Sequence, residues 1–201
     1  MKYQKINGHD FYNMVVNASN RLLEESDFVN ALNVFPVPDG DTGTNMSMTF
    51  KAAVKEIENL NSESIGETSK ILAKGALMGA RGNSGVILSQ ILRGISKGLE
   101  GKTEVDGKEL AVAFEEGSKA AYKAVMRPVE GTILTVIREA SEKIVEYTQP
   151  GMEIEDVFSY FVKEAENSLE RTPELLPVLK EVGVVDSGGA GLLLVLTGFM
   201  A

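Results

Sequence analysis

Apolar residues recur along most of this chain at the three- and four-residue spacing of an amphipathic α-helix. The first such stripe, over residues 9–25, consists of Phe11, Met14, Val15, Ala18 and Leu22. Further helices are predicted over residues 44–59, 64–78, 84–97, 107–127, 132–147, 157–169 and 188–199, with shorter ones over 27–32 and 173–182. No segment shows the sustained two-residue alternation of a strand. The pattern predicts an all-α domain of about eight to ten helices joined by short turns.

Capping residues support several of these boundaries. Asn7-Gly8 is a plausible start for the first helix, and Asp106 is followed three residues later by Glu109 in the form of a capping box. The helix that opens there stops before Pro128. Loops rich in Gly, Pro and Asp recur between the helices, and four of them are candidates to meet at one end of a bundle.

The charge balance and the lack of cysteine exclude several kinds of protein and of site. The 201 residues fit one domain, and 29 acidic against 20 basic residues give a formal net charge of −9. This balance argues against a general nucleic-acid binder, which needs a basic surface. The chain has no cysteine, which excludes disulfides and thiolate metal sites, and its only histidine is His9. A zinc site or a histidine-activated nucleophile is therefore not expected.

The two ends of the chain lead to expectations about its context. The N-terminus lacks the apolar run of a signal peptide, and the longest apolar run, Leu192 to Leu196, is too short to span a bilayer. We therefore expect a cytoplasmic protein without a membrane-spanning segment. Because residues 197–201 stop inside an apolar helix, we also expect this to be one domain cut from a longer protein.

The most informative stretch runs from Asn33 to Met48. Two prolines keep its first part extended, and Asp39 and Asp41 then flank a glycine just before a helix starts. Two carboxylates beside a helix N-terminus suit a divalent cation that bridges to phosphate. Asp-Gly-Asp is also common in surface turns, but the two-proline entry and the Thr-Gly-Thr-Asn exit favour a magnesium–phosphate site.

A second candidate phosphate loop is Gly82-Asn83-Ser84-Gly85, where small residues again precede a helix. The alternative is a helix–helix turn that needs glycine only for its conformation. Arg81, beside it, is a candidate for neutralising a transition state, although arginines at loop ends more often lie at the surface. The chain contains neither a Walker A loop nor the signatures of a protein kinase.

The stretch from Val37 to Met46 resembles the nucleotide-binding motif of the dihydroxyacetone kinase L-subunit (DhaL-like) family. Among its branches, the N-terminal domain of the fatty acid kinase ATP-binding subunit is the most similar. Three further stretches agree with the family in order along the chain. They are residues 78–85, 127–132 and 184–189.

The resemblance implies an antiparallel up-and-down helical barrel with ATP at one end, and it assigns roles to particular residues. Asp39 and Asp41 would be catalytic and would hold Mg²⁺, expected as two ions. Asn33 stands near the place of a third acid in the family, and this departure bears on the number of ions. The remaining implied contacts are Thr42, Gly43, Thr44, Asn45, Gly82, Asn83 and Ser84 to the phosphates, and Thr132, Thr172, Asp186, Ser187 and Gly188 around adenine and ribose.

In this family a separate protein presents the phosphoryl acceptor. Thr42 replaces the histidine of the sugar-kinase motif, which points to a fatty-acid-binding partner whose bound carboxylate becomes an acyl phosphate. The alternatives are a dihydroxyacetone kinase-like transfer to a small hydroxyketone, a nucleotide-binding regulatory domain without transfer, and a helical bundle that binds nothing. A homodimer formed through regions outside this chain is a further possibility.

Overall fold

Ten helices and two short strands span residues 3–200, the part of the chain that this computed structural model describes. Residues 1, 2 and 201, which the predicted domain includes, lie outside the described residues. The strands are β1 (Lys5–Asn7) and β2 (Glu104–Asp106). The helices are α1 (Gly8–Glu24), α2 (Ser26–Ala31), α3 (Thr42–Ile57), α4 (Ile65–Met78), α5 (Gly82–Gly98), α6 (Gly107–Ala124), α7 (Ile133–Tyr147), α8 (Ile154–Leu175), α9 (Pro177–Val182) and α10 (Ser187–Phe199).

Eight long helices among residues 3–200 form a closed ring, which confirms the all-α prediction and the helical barrel that the family resemblance implies. Helices α3 to α8 pack against one another in succession, α10 contacts α7 and α8, and α1 closes the ring between α10 and α3. Their apolar faces meet in one core that contains Phe50 and Phe161. Phe114 and Phe161 pack edge to face there, with ring centroids 5.0 Å apart. No helix among residues 3–200 is long and apolar enough to cross a membrane.

Short connections make successive long helices alternate in direction. Helices α1, α4 and α8 begin near one another, since Gly8 donates its N–H to the carbonyl of Glu63 and Ile154 donates to Tyr3. The strand β2 that leads into α6 pairs antiparallel with β1 at the same end, where Ile6 lies opposite Val105. Helices α3, α5, α7 and α10 therefore begin at the other end.

The caps predicted for α1 and α6 are present, and α7 and α10 are capped as well. Asp106 and Glu109 form the expected capping box at the start of α6, and Asn7 with Asp10 forms another at α1. The side chains of Thr132 and Asp186 cap α7 and α10. Each cap satisfies backbone N–H groups that have no partner inside the helix.

The predicted helix over 173–182 is wrong in its boundaries. Pro173 lies inside α8, which continues to Leu175, and α9 begins only at Pro177. Proline leaves the carbonyl four residues before it without an N–H donor. Here that carbonyl belongs to Leu169, and the hydroxyl of Thr172 donates to it at 2.7 Å. The side-chain bond substitutes for the missing one, so the helix passes through the proline.

Candidate functional site

A cavity of about 560 Å³ opens at the end where α3, α5, α7 and α10 begin. Four segments that lie far apart in the sequence contribute to its wall, and these carry the four motifs of the sequence. Twelve of the predicted site residues line this cavity. They are Asn33, Asp39, Asp41, Thr42, Asn45, Gly82, Asn83, Ser84, Thr132, Asp186, Ser187 and Gly188.

Four helix N-termini point towards this space. Helix α3 begins at Thr42, α5 at Gly82, α7 at Ile133 and α10 at Ser187, and all four of these residues line the cavity. The first two helices start two residues earlier than predicted. Each helix start carries partial positive charge from the aligned peptide dipoles, and the starts of α3 and α5 have no side-chain cap on their N–H groups. Together they make the cavity a favourable place for a polyanion.

The proline-rich loop before α3 is held in place by Asn33. The buried Asn33 amide donates to the carbonyl oxygen of Val37 at 3.1 Å and accepts the N–H of Asp41 at 3.1 Å. The Phe35–Pro36 peptide bond within the loop is cis. Asn33 was predicted as a metal ligand, and the structure gives it a loop-bracing contact. Because an amide oxygen has two lone pairs, one remains for another partner.

Asp39 and Asp41 bring two carboxylates together at the end of this loop. A hydrogen bond with the Asp41 side chain, followed by burial and the negative charge of Asp41, raises the pKa of Asp39 above its usual value. Neither acid has a lysine or arginine partner within 4.0 Å among residues 3–200. Two unneutralised hard oxygen donors this close together suit a bound divalent cation.

The donor set fits Mg²⁺ in a particular way. No group of three or more acidic, histidine or cysteine side chains that could hold a metal occurs among the described residues. A complete protein cage is therefore absent from that part of the chain. Mg²⁺ commonly uses one or two carboxylates and fills its octahedron with water and phosphate oxygens. Asp39 and Asp41 match this type of site.

The starts of α3, α5 and α10 are locked together beside the carboxylates. The hydroxyl of Ser187 donates to Thr42 Oγ1 at 3.1 Å, which joins α10 to α3, and both residues are buried. Gly82 has φ +68° and lies directly against the Asn45 side chain, so a Cβ atom there would collide with that amide. The close approach keeps the predicted phosphate loops of α3 and α5 in contact.

Thr132 and Asp186 belong to the part of the wall where α7 and α10 begin. Asp186 accepts hydrogen bonds from the backbone N–H groups of Gly189, at 2.8 Å, and Ile133. Burial raises the pKa of Asp186 to about 6, although these two backbone bonds lower it in part. Thr132 is also buried, donates to the carbonyl of Val129 at 2.7 Å and caps α7.

Three predicted site residues do not line the cavity. Thr44 faces α2, where its N–H and its hydroxyl bond to the Asn30 side chain at 3.0 Å each. Gly43 lies against the carbonyl of Ser26, which lets α3 approach α2 closely. Thr172 is buried behind the wall and accepts the backbone N–H of Asp186 at 3.1 Å. These residues act on the fold around the cavity. Arg81 does not line it either.

Two features of the cavity were missed from the sequence. Within the described part of the chain, Arg127 is the only lysine or arginine that lines the cavity, whereas Arg81 was the arginine considered. The lining also includes apolar side chains, among them Phe35, Val86 and Ile87. Because these residues continue helical stripes or belong to the proline loop, nothing in their spacing distinguishes a cavity wall from core. The position of Arg127 immediately before Pro128 in a motif loop is a signal that could have identified it.

Comparisons with known proteins agree with this architecture. An uncharacterized protein of Staphylococcus haemolyticus is 53% identical over 196 residues, which are 98% of this chain and 36% of that protein. Protein YloV of Bacillus subtilis is 51% identical over 100% of this chain and 36% of its own length. The chain thus spans about a third of the length of the curated relatives it matches.

Among solved structures, a dihydroxyacetone kinase from C. freundii in complex with AMP-PNP and Mg²⁺ has the same fold. The TM-score is 0.63 and the sequences are 20% identical, over 94% of this chain and 33% of that one. In addition, residues 36–201 match the family model described as DAK2 domain. Since this match covers most of the chain and all four motif loops, the chain belongs to the DAK2 domain family.

Proposed function

We propose that the cavity binds Mg·ATP and that the domain transfers its γ-phosphoryl group to an acceptor carried by another protein. The observation that carries this proposal is the convergence of four helix N-termini on a cavity that also holds a pair of unneutralised carboxylates. Helix N-termini stabilise phosphate oxygens, and paired carboxylates stabilise the cation that accompanies them. A cavity of about 560 Å³ is within the range of small-molecule sites.

Each part of the lining has a role in this proposal. Asp39 and Asp41 would hold Mg²⁺, with Asn33 as an additional neutral ligand. The metal, when bound, neutralises charge on the phosphate oxygens. The backbone at the starts of α3 and α5, with Asn45 and Ser84, would orient the triphosphate. The apolar side chains of the lining would cover the adenine, and Thr132 and Asp186 would contact the base and the ribose.

Arg127 supplies the positive charge that phosphoryl transfer benefits from at its transition state. It lines the same cavity as the two carboxylates and is exposed in the segment between α6 and α7. Its guanidinium fork matches the oxygens of a phosphoryl group or a carboxylate. This position makes Arg127 a better candidate than Arg81 for contacting the reacting group.

We propose a fatty acid carboxylate as the acceptor. In the transfer, a carboxylate oxygen forms a bond to the γ-phosphorus, the bond from that phosphorus to the β,γ-bridging oxygen breaks, and ADP leaves with the electron pair. A carboxylate is already deprotonated at neutral pH and needs no general base. Among residues 3–200, no histidine lines the cavity, and Asp39, Asp41 and Asp186 are the only acids that do. A hydroxyl acceptor, as in dihydroxyacetone kinase chemistry, would have to lose a proton.

The acceptor is tested by trapping the product. The domain, Mg·ATP and a fatty-acid-loaded binding protein are incubated with hydroxylamine, which converts acyl phosphate to a hydroxamate. We expect hydroxamate only when all three components are present, and none with Asp41→Asn. Asp156→Asn, an exposed acid on α8, is the matched control and should retain activity. Phosphorylation of dihydroxyacetone without formation of hydroxamate would mean that the acceptor is the sugar and not a fatty acid. ATP binding without any transfer would indicate a regulatory nucleotide-binding domain.

A further inference from the structure

The segment that joins α6 to α7, residues 125–132, forms one side of the cavity without regular secondary structure. Three of its residues, Val125, Arg127 and Val129, line the cavity together with Thr132 at its end. A loop of this length is held by few backbone bonds, so side chains must fix its position. We call it the α6–α7 loop.

Glu130 is not among the residues that line the cavity, and its side chain joins this loop to both flanking helices. Its Oε1 accepts from Arg138 Nη2 on α7 at 2.7 Å, and its Oε2 accepts from the Tyr122 hydroxyl on α6 at 2.9 Å. Arg138 Nε also donates to the Tyr122 hydroxyl at 3.1 Å. One guanidinium therefore binds the loop carboxylate and the α6 phenol at the same time.

Thr135 extends this network to the loop backbone. Its hydroxyl donates to Glu130 Oε1 at 3.0 Å and accepts the N–H of Gly131 at 2.8 Å. Two consecutive residues of the loop are thus tied to α7, directly between Val129 and Thr132 of the cavity wall. The four residues Tyr122, Glu130, Thr135 and Arg138 do not line the cavity themselves.

The charge and the exposure of Glu130 and Arg138 indicate what this network does. Burial alone would raise the pKa of Glu130, but the hydrogen bonds from Arg138, Tyr122 and Thr135 lower it below its usual value. The Arg138 and Glu130 side chains are 37% and 42% exposed. An isolated ion pair whose side chains are this exposed contributes little to the free energy of unfolding. The contacts instead restrict where the loop can lie.

We propose that Glu130 and Arg138 are positioning residues, which brace the α6–α7 loop so that Arg127, Val129 and Thr132 are held against the nucleotide. This inference rests on the proposed function, because it assumes that the cavity binds Mg·ATP. Neither residue touches the nucleotide in this proposal. They act through the loop, and a change in either should loosen one wall of the cavity while the carboxylates and the phosphate loops stay in place.

The test compares Arg138→Met with Arg171→Met. Arg171 on α8 pairs with Glu139 on α7 at 3.0 Å and is also partly exposed, but neither partner belongs to the α6–α7 loop. We expect Arg138→Met to weaken Mg·ATP binding roughly tenfold in calorimetry, while Arg171→Met leaves it unchanged. Arg138→Lys should restore only part of the affinity, because an ammonium cannot place a planar fork on both Glu130 and Tyr122. Equal affinities in the two methionine variants would overturn the proposal.

A second measurement separates this inference from the proposed function. Amide hydrogen exchange over residues 125–132 requires no ligand, and the Gly131 N–H reports directly on its bond to Thr135. Exchange there should accelerate in Arg138→Met and in Glu130→Gln, but not in Arg171→Met. If the wild type fails to bind Mg·ATP while this pattern holds, the proposed function is wrong and the brace remains. Unchanged exchange in Arg138→Met would reject the brace, whatever binds in the cavity.

Discussion

At the scale of single residues, similar side chains acquire different chemistry from their surroundings. Asp39 is exposed and its pKa is raised mainly by Asp41, whereas Asp186 is buried and its pKa is raised to about 6 mainly by desolvation. The sequence could predict the first case, since the two acids are two residues apart. It could not predict the second, because the burial of Asp186 depends on α7 and α8 packing against its loop.

The pKa of Asp186 predicts a pH dependence of stability. Its folded-state pKa of about 6 exceeds the usual 3.8, so the folded state holds a proton that the unfolded state releases. The stabilisation that protonated Asp186 gives the folded state is fully present below about pH 4. It decreases as the pH rises to about 6 and does not change further above that. Relative to Asp186→Asn, which keeps an oxygen for capping, wild type should lose roughly 3 kcal/mol across that window. Urea unfolding at a series of pH values measures this loss, and parallel curves would contradict it.

Thr172 is predicted to act on the cavity through Asp186. Thr172→Val keeps the shape of the side chain but removes the acceptor for the Asp186 N–H and the donor to the carbonyl of Leu169. Leaving such a buried N–H unsatisfied costs about 1–3 kcal/mol. Urea unfolding should show this loss, while Thr172→Ser, which retains the hydroxyl, should lose less. A valine variant as stable as wild type would show that these two bonds contribute nothing.

At the scale of elements, apolar spacing predicted the long helices because each buries one continuous face. The strands β1 and β2 were missed, since three residues are too few to show alternation and their partners lie about a hundred positions apart. The end of α8 was missed for another reason. Proline usually stops a helix, and the Thr172 side chain that compensates at Leu169 is visible only in three dimensions.

Gly131 lies where the α6–α7 loop approaches the end of α8 closely. It has φ +85°, and a Cβ atom there would lie 2.8–2.9 Å from Leu176 and from the carbonyl of Thr172. Gly151 has φ +91° with nothing within 4 Å of the same position, so Gly151→Ala should cost roughly 1–2 kcal/mol from strain alone. Gly131→Ala should cost about 1–3 kcal/mol more, because α8 must move away.

Thermal or urea unfolding of Gly131→Ala and Gly151→Ala measures the loss of stability in each variant. The difference between them isolates the close approach of the α6–α7 loop to the end of α8. Equal destabilisation would mean that the loop can shift freely at Gly131. We also expect Gly131→Ala, and not Gly151→Ala, to weaken nucleotide binding, since Thr132 follows Gly131 directly in the cavity wall.

At the scale of the whole molecule, the alternating direction of the helices creates the candidate site. Motifs separated by up to about 150 residues meet because α3, α5, α7 and α10 all begin at one end. The order of the motifs made this convergence predictable. The apolar part of the lining was not predictable, because residues such as Phe35 and Ile87 line one cavity only when the ring has closed. For the same reason the outward-facing Thr44 could not be separated in advance from Thr42.

The most direct test of the account is calorimetric titration of the domain with a non-hydrolysable ATP analogue, with Mg²⁺ and with excess chelator. The account predicts binding that requires Mg²⁺ and is lost in Asp39→Asn and Asp41→Asn, while Asp156→Asn binds as wild type. Circular dichroism should show equal helical content in all four proteins. Binding of equal strength with and without Mg²⁺, or retained in both cavity variants, would contradict the assignment of Asp39 and Asp41. Absence of binding to the folded wild type would contradict the central claim that this cavity is a Mg²⁺–nucleotide site.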